Sequence, residues 1–308
     1  MHLIIPYAAL TDAPPDALHS LALPHLRQLL AQMTCTHRED EARDTQPSPY
    51  MPHERVRARS LGWPLDAPLP WAALAHPGHA GAQAWITPCH WQIGMDQVVM
   101  LDPAQLHLSD VESLQLLQAM QAFLQEDGLE VQWDNALHWH ARGDIFESMR
   151  TPSLDRVIGA NVKPWVTDGH LPAALRRLQS EMQMLLYNHP VNDVRMARGQ
   201  FTVNSFWVHG AGQLPTRAVP SADGEVLVLD LLRGPALRGD LQAWQAAWRE
   251  LDATHLAPLA AQTDLCLSLC SETAAHTYQR TERSWLQRIT AVFQTTDTGR
   301  ALQALIPT

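Results

Sequence analysis

Four polar side chains share one short stretch of the chain: His189, Asn192, Arg195 and Asn204. An arginine offers a planar fork of donors that grips a phosphate, a carboxylate or backbone carbonyls. An asparagine trapped in a turn, as Asn192 is between Pro190 and Gly199, can satisfy backbone groups that a helix end leaves open. Asn204 sits in an apolar run, where its amide must find partners or cost about 1–3 kcal/mol. Two roles stay open: the three residues brace the join between a helix and a strand, or Arg195 holds an anionic ligand.

Other residue types invite the same test. Asp155 and Arg156 lie beside Val157-Ile158, which reads as an ion pair at a core edge or as an arginine kept for a phosphate or carboxylate. His138 and His140 would share one face of a hairpin; with no third ligand nearby in sequence they read as solvent-facing rather than metal-binding. Cys89 and His90 are neighbours on an expected strand and point to opposite faces, so Cys89 reads as a buried core thiol. The chain has no G-x-S-x-G elbow, H-E-x-x-H, phosphate loop or dinucleotide fingerprint.

The elements that must position these groups follow from periodicity. Leu171, Leu175, Leu178, Met182, Leu185 and Leu186 recur at helical spacing, with Pro172 in the first turn. Pro190 forces His189 out of helical geometry, so the helix is expected to stop near Asn188. A polar loop from His189 to Arg195 is expected next, closed by Gly199, then a buried strand from Phe201 to Val208 leaving through Gly210-Ala211-Gly212. A helix, a turn and a strand in this order suggest a layered α/β unit.

Elsewhere, residues 2–8 read as a first core strand and Leu18 to Leu30 as a helical stripe broken by Pro24. Cys35 to His53 is charged and proline-bearing and is expected to be a mobile loop. Arg55, Arg57 and Arg59 make a local basic cluster. Trp63, Trp71, Trp85 and Trp91 suit a loop-rich subdomain stapled by aromatics, or a ligand platform. Ser109 to Glu112 is a capping box ahead of an apolar helix face, and Asp127-Gly128 ends it. Leu129 to Trp139 alternates as a hairpin. Strands at 225–232 and around Leu265–Leu269, a helix over Leu241, Trp244, Trp248 and Leu251, and a last helix over Trp285, Ile289, Val292 and Phe293 favour a parallel or mixed sheet.

At 308 residues the chain has room for one large domain or a core with an insert. A net charge of −10 argues against nucleic acid or an anionic membrane as partner. Four cysteines in this length read as reduced thiols. No apolar run approaches the roughly 20 residues of a membrane helix, and the start, interrupted by Pro6, has no basic segment before it, so a cytoplasmic location is expected.

The pattern His189-Pro190-x-Asn192-x-x-Arg195, Gly199, Asn204, Trp207, Gly210 and Gly212 resembles a segment of the archaeal-type cofactor-independent phosphoglycerate mutases of the alkaline-phosphatase superfamily. Further segments, Pro52-His53-Glu54, Pro70-Trp71-Ala72-Ala73, Pro88-Cys89-His90-Trp91, Ser153 to Gly159 and Gln183 to Tyr187, resemble bacterial phosphoglycerate mutase-like, or RpfE-type, regulatory proteins. The resemblance implies an α/β fold: an alkaline-phosphatase-like layered core, with a mixed or parallel sheet and helices on both faces, formed by residues 1–45 and 171–308. Residues 46–170 would form an inserted α+β subdomain.

The mutases transfer a phosphoryl group through a serine activated by two divalent metals. In them an Asp-Gly pair follows the first strand; here Pro6-Tyr7-Ala8 stands there. Their Asp-x-x-x-His pattern finds only Glu272 and His276, weak metal candidates, and no Asp-His dipeptide occurs. The sequence is therefore expected to bind no catalytic metal and no cofactor, and to act as a regulatory or binding protein. Its partner would be a phosphorylated metabolite or another protein. A metal-dependent mutase or phosphatase is the alternative.

Overall fold

The computed structural model describes residues 1–41, 47–167, 171–215, 225–260, 262, 264–280 and 297–306. They belong to two compact units, Met1–Trp63 with Val219–Thr308, and Pro64–Ala218. The boundary expected at 170/171 falls inside the second unit, because the strand that ends the 171–212 stretch pairs with a strand at Gln83–Cys89.

The first unit holds a 5-stranded sheet in the order β2 (Met33–Asp40), β11 (Ala274–Arg280), β10 (Cys266–Cys270), β1 (His2–Ile5) and β9 (Val226–Val228). β1 runs parallel to β9 and β10, whereas β11 is antiparallel to β10 and β2. Alternation sorts the side chains. Leu3, Ile5, Leu267 and Leu269 face the main core, where helices α1 (Pro15–His19), α2 (Pro24–Gln32), α10 (Arg233–Leu237), α11 (Leu241–Leu251) and α12 (Thr298–Gln303) pack. Ile4, Cys270 and Ala275 face the other way, against Val56 of α3 (Pro52–Ser60). This is a mixed sheet with helices on both faces, the layered α/β class that the sequence implied.

Two expectations change here. Residues 35–40 are strand β2, and Pro52 opens α3, so both ends of the loop expected over Cys35–His53 are regular structure, while its residues 42–46 lie outside the described residues. The charges that suggested a loop are paired: Arg55 with Glu39 and Glu41, Arg59 with Glu39. That pairing also neutralises two members of the expected basic cluster. The expected strand at 225–232 shortens to β9, and the last helix, over 285–293, lies outside the described residues.

The second unit is α+β. Its sheet runs β6 (Glu130–Asn135), β7 (His138–Arg142), β3 (Gln83–Cys89), β8 (Ser205–Gly212), with every neighbouring pair antiparallel. A hairpin of β4 (Trp91–Ile93) and β5 (Val98–Met100) adjoins in sequence. Short helices α4 (Trp71–Ala75), α6 (Leu154–Val157) and α7 (Lys163–Thr167) link these elements.

Helices α5 (Asp110–Glu126) and α8 (Ala173–Tyr187) bury Leu116, Leu117, Met120, Leu175, Leu178 and Met182 against Ile86, Trp139, Phe206 and Val208. The Ser109–Glu112 capping box forms as its spacing predicts. After α8, capped at Asn188, the expected polar loop is instead helix α9 (Pro190–Ala197). Pro190 takes its first position, where the missing N–H is not needed, and His189 caps it. Gly199 then turns the chain with φ +67. The strand expected at 201–208 begins four residues later, at Ser205.

Candidate functional site

Three of the predicted residues make hydrogen bonds at the α8–α9–β8 join. Asn192, 2% exposed, donates to the carbonyls of Leu186 at 2.8 Å and Val203 at 2.7 Å, and accepts from Val203 N at 2.9 Å. It thereby ties the end of α8 to the segment that enters β8. Arg195, 0% exposed, donates Nε to Phe201 O at 2.8 Å, Nη1 to Glu112 at 3.1 Å and Nη2 to Leu106 O. Burial pushes the Glu112 carboxyl up, but hydrogen bonds from Ser109 and the Arg195 charge outweigh it and hold its pKa below the ordinary value. Asn204 pairs with Trp91 as a strand neighbour would, accepting from Trp91 N at 2.7 Å and donating to Trp91 O at 2.9 Å. His189 accepts from Val191 N at 3.3 Å; burial lowers its pKa, against the pull of Asp193.

Above these braces lies a cavity of about 560 Å³. Trp91, Ile93, Leu186, Tyr187 and Met196 form its apolar walls, and Gln183, Asn188, Asp193 and Thr202 its polar ones. Asn192 and Asn204 also line it, but their amides are already spent on backbone groups. This space is not legible locally, because β4 supplies one wall from far along the chain.

The other predicted residues lie apart from it. Arg156 is half-buried in α6. Glu272 sits between β10 and β11 and accepts from Thr11 N at 3.0 Å and from the Thr11 hydroxyl. His276 is a buried residue of β11 with Nε2 3.6 Å from Asp40; burial lowers its pKa, opposed by Asp40.

These residues do not fit a two-metal centre. At the end of β1, Tyr7 is 2% exposed and packs in the main core. The indole N–H groups of Trp244 and Trp248 take the carbonyls of Tyr7 at 2.8 Å and Ala8 at 3.1 Å. Among the described residues, no group of three His, Cys, Asp or Glu side chains is placed to hold a metal ion.

A histidine face was also missed. His140 of β7 is 3% exposed, not solvent-facing, and stacks on His76 at 4.1 Å with His79 at 5.1 Å. Burial, then the nearby His76, His79 and Arg142, lowers its pKa to about 4, with Asp134 opposing. Alternation gave the shared face of His138 and His140; the residues from the α4 region that cover His140 could not be read locally.

No protein-family model matches this chain, and no curated protein sequence matches it. The solved structures similar to it include the following two. A cofactor-independent phosphoglycerate mutase from Thermoplasma acidophilum DSM 1728 is 14% identical, with a TM-score of 0.33 over 99% of this chain and 100% of that one. The PH0037 protein from Pyrococcus horikoshii is 9% identical, with a TM-score of 0.46 over 90% of this chain and 86% of that one. Both relationships are distant, and neither assigns chemistry.

Proposed function

We propose that this chain is a phosphoglycerate mutase-like binding protein of the regulatory, RpfE-type kind, in which apolar packing stands in place of the two-metal phosphoryl-transfer site. The end of β1 carries this reading. Ligands of open α/β folds gather at the carboxyl ends of strands. Here that position is filled by Tyr7 beneath Trp244 and Trp248. Tyr7 also holds φ 55, a left-handed bend that glycine adopts freely and other residues at a cost of about 1–2 kcal/mol. The bend that suits an Asp-Gly pair is thus present, with neither residue there. Glu272 is tied to Thr11, and His276 is enclosed in the sheet.

A site short of its ligands does not hold its metals, since affinity follows ligand number and geometry. The expected result of elemental analysis after gentle purification is less than one equivalent of manganese or zinc. No manganese-dependent release of phosphate from a small phosphoester is expected either. Two bound metals together with such activity would reverse the proposal.

A further inference from the structure

We infer that the cavity walled by α8, α9 and β4 binds a small aromatic amine: a ring of indole size bearing a positively charged head. The inference rests on reading the chain as a binding protein and names the chemistry of its ligand.

The volume of about 560 Å³ lies within the roughly 300–1,000 Å³ usual for small-molecule sites. Trp91 and Tyr187 offer aromatic surface, and Ile93, Leu186 and Met196 add apolar surface; Ile93, Tyr187 and Met196 are exposed, so the space is an open groove. The side-chain amides of Gln183 and Asn188 have no hydrogen-bond partner among the described residues and can orient a polar group.

Charge decides the rest. Among the described residues, Asp193 is the one carboxylate in the lining, and no lysine, arginine or histidine lines it. The nearest cation along the chain, Arg195, is committed to Phe201, Leu106 and Glu112. His189 is held towards its neutral form by burial. The N-terminus of α9 would attract an anion if its N–H groups were free. They are taken: Val191 N by the His189 ring, Asn192 N and Asp193 N by the His189 carbonyl at 2.8 and 3.3 Å. A phosphate or carboxylate therefore meets a like charge and no donor from the first turn. An ammonium group meets Asp193 beside aromatic faces. The helix dipole offsets part of the Asp193 charge and water screens it, so the preference for a cation is modest.

Calorimetric titration of the full chain with tryptamine, indole-3-acetamide and indole-3-acetate tests this with one ring and three charges. Tryptamine should bind about three- to fivefold tighter than the amide, in keeping with an exposed ion pair, and the acetate weakest. Asp193→Asn should bring tryptamine to the level of the amide. Gln183→Trp, which fills the cavity without adding charge, should abolish all three while the circular dichroism spectrum is kept. No binding of tryptamine to the wild-type chain, tightest binding of the acetate, or binding that survives Gln183→Trp would each overturn the assignment. A metal-free chain that binds none of the three loses this site and keeps the proposed function; a metal-loaded, phosphatase-active chain that binds tryptamine here does the reverse.

Discussion

The end of β1 and the α8–α9–β8 join treat their polar groups in opposite ways. At the end of β1 the backbone carbonyls of Tyr7 and Ala8 are closed off by indole N–H groups, and the surrounding space is apolar core. At the join, buried amides and a guanidinium satisfy the backbone at 186, 201 and 203, and a cavity is left above them. The difference separates polarity from function. The polar residues of the join lie beside a cavity whose lining is largely apolar, and the end of β1 is packed with apolar side chains.

The sharpest way to break this comparison is Arg195→Ala. It strands Glu112 and the carbonyls of Leu106 and Phe201 around a hole where a fully enclosed charge stood. Breaking a buried pair in this manner costs about 3–5 kcal/mol, read as a lower midpoint in urea. Arg195→Lys should recover only part of it, because an ammonium cannot span three divergent acceptors. Undiminished stability with lost binding of an anionic ligand would return Arg195 to a ligand role and erase the contrast.

Acid should act on both units with one sign. His140 in the second unit and His2 in the first each have a pKa lowered to about 4, by burial first and, for His2, then by the chain's amino terminus. Between about pH 6.5 and 4 the unfolded chain binds these protons and the folded one does not, so stability falls as the pH falls. From pH 7 to 5 the loss is on the order of 2 kcal/mol for His140. Glu112, whose pKa is held low, adds a further loss as the pH falls through the carboxylate range. Urea unfolding at the two pH values measures the first effect, and His140→Gln should remove the share of His140 and leave that of His2. A wild-type midpoint equal at pH 7 and 5 would show that the histidine face does not bear on stability.

How much of this was legible beforehand depends on the distance over which each decision is made. The stripe of α8, its end at Asn188, the capping box of α5 and the alternation in β10 are local, and each is found where its spacing put it. Helix α9 is hidden in the sequence because a proline that breaks one helix also suits the first position of the next, as Pro190 does. Strand β2 was hidden because Glu39 looked solvent-bound until Arg55 and Arg59 of α3 reached it. The polar residues of the join could be picked out from their setting in turn and strand, yet their partners Leu106, Glu112 and Trp91 come from elsewhere in the chain. A cavity is still less local, since it is defined by what several segments together fail to fill.

The finest test is Asn204→Ala, which removes a brace that touches the cavity wall itself. Asn204 stands just ahead of β8 and is half-buried; its backbone N–H donates to Cys89 O at 3.2 Å while its amide pairs with both backbone groups of Trp91. Alanine keeps the backbone bond and frees Trp91 N and O. Because the site is only half-buried, water can reach them in part, so the cost should sit near 1 kcal/mol, the low end of the range for unsatisfied groups. The more telling consequence is local. With its anchor to residue 204 cut, β4 keeps its pairing to β5 but not its fixed distance from α8 and α9. Amide hydrogen exchange should then rise at Trp91 and remain unchanged at the end of β1, where nothing depends on Asn204. Equal protection at Trp91 in the variant and the wild type would mean that β4 is held by other contacts, and that the cavity wall owes nothing to this amide.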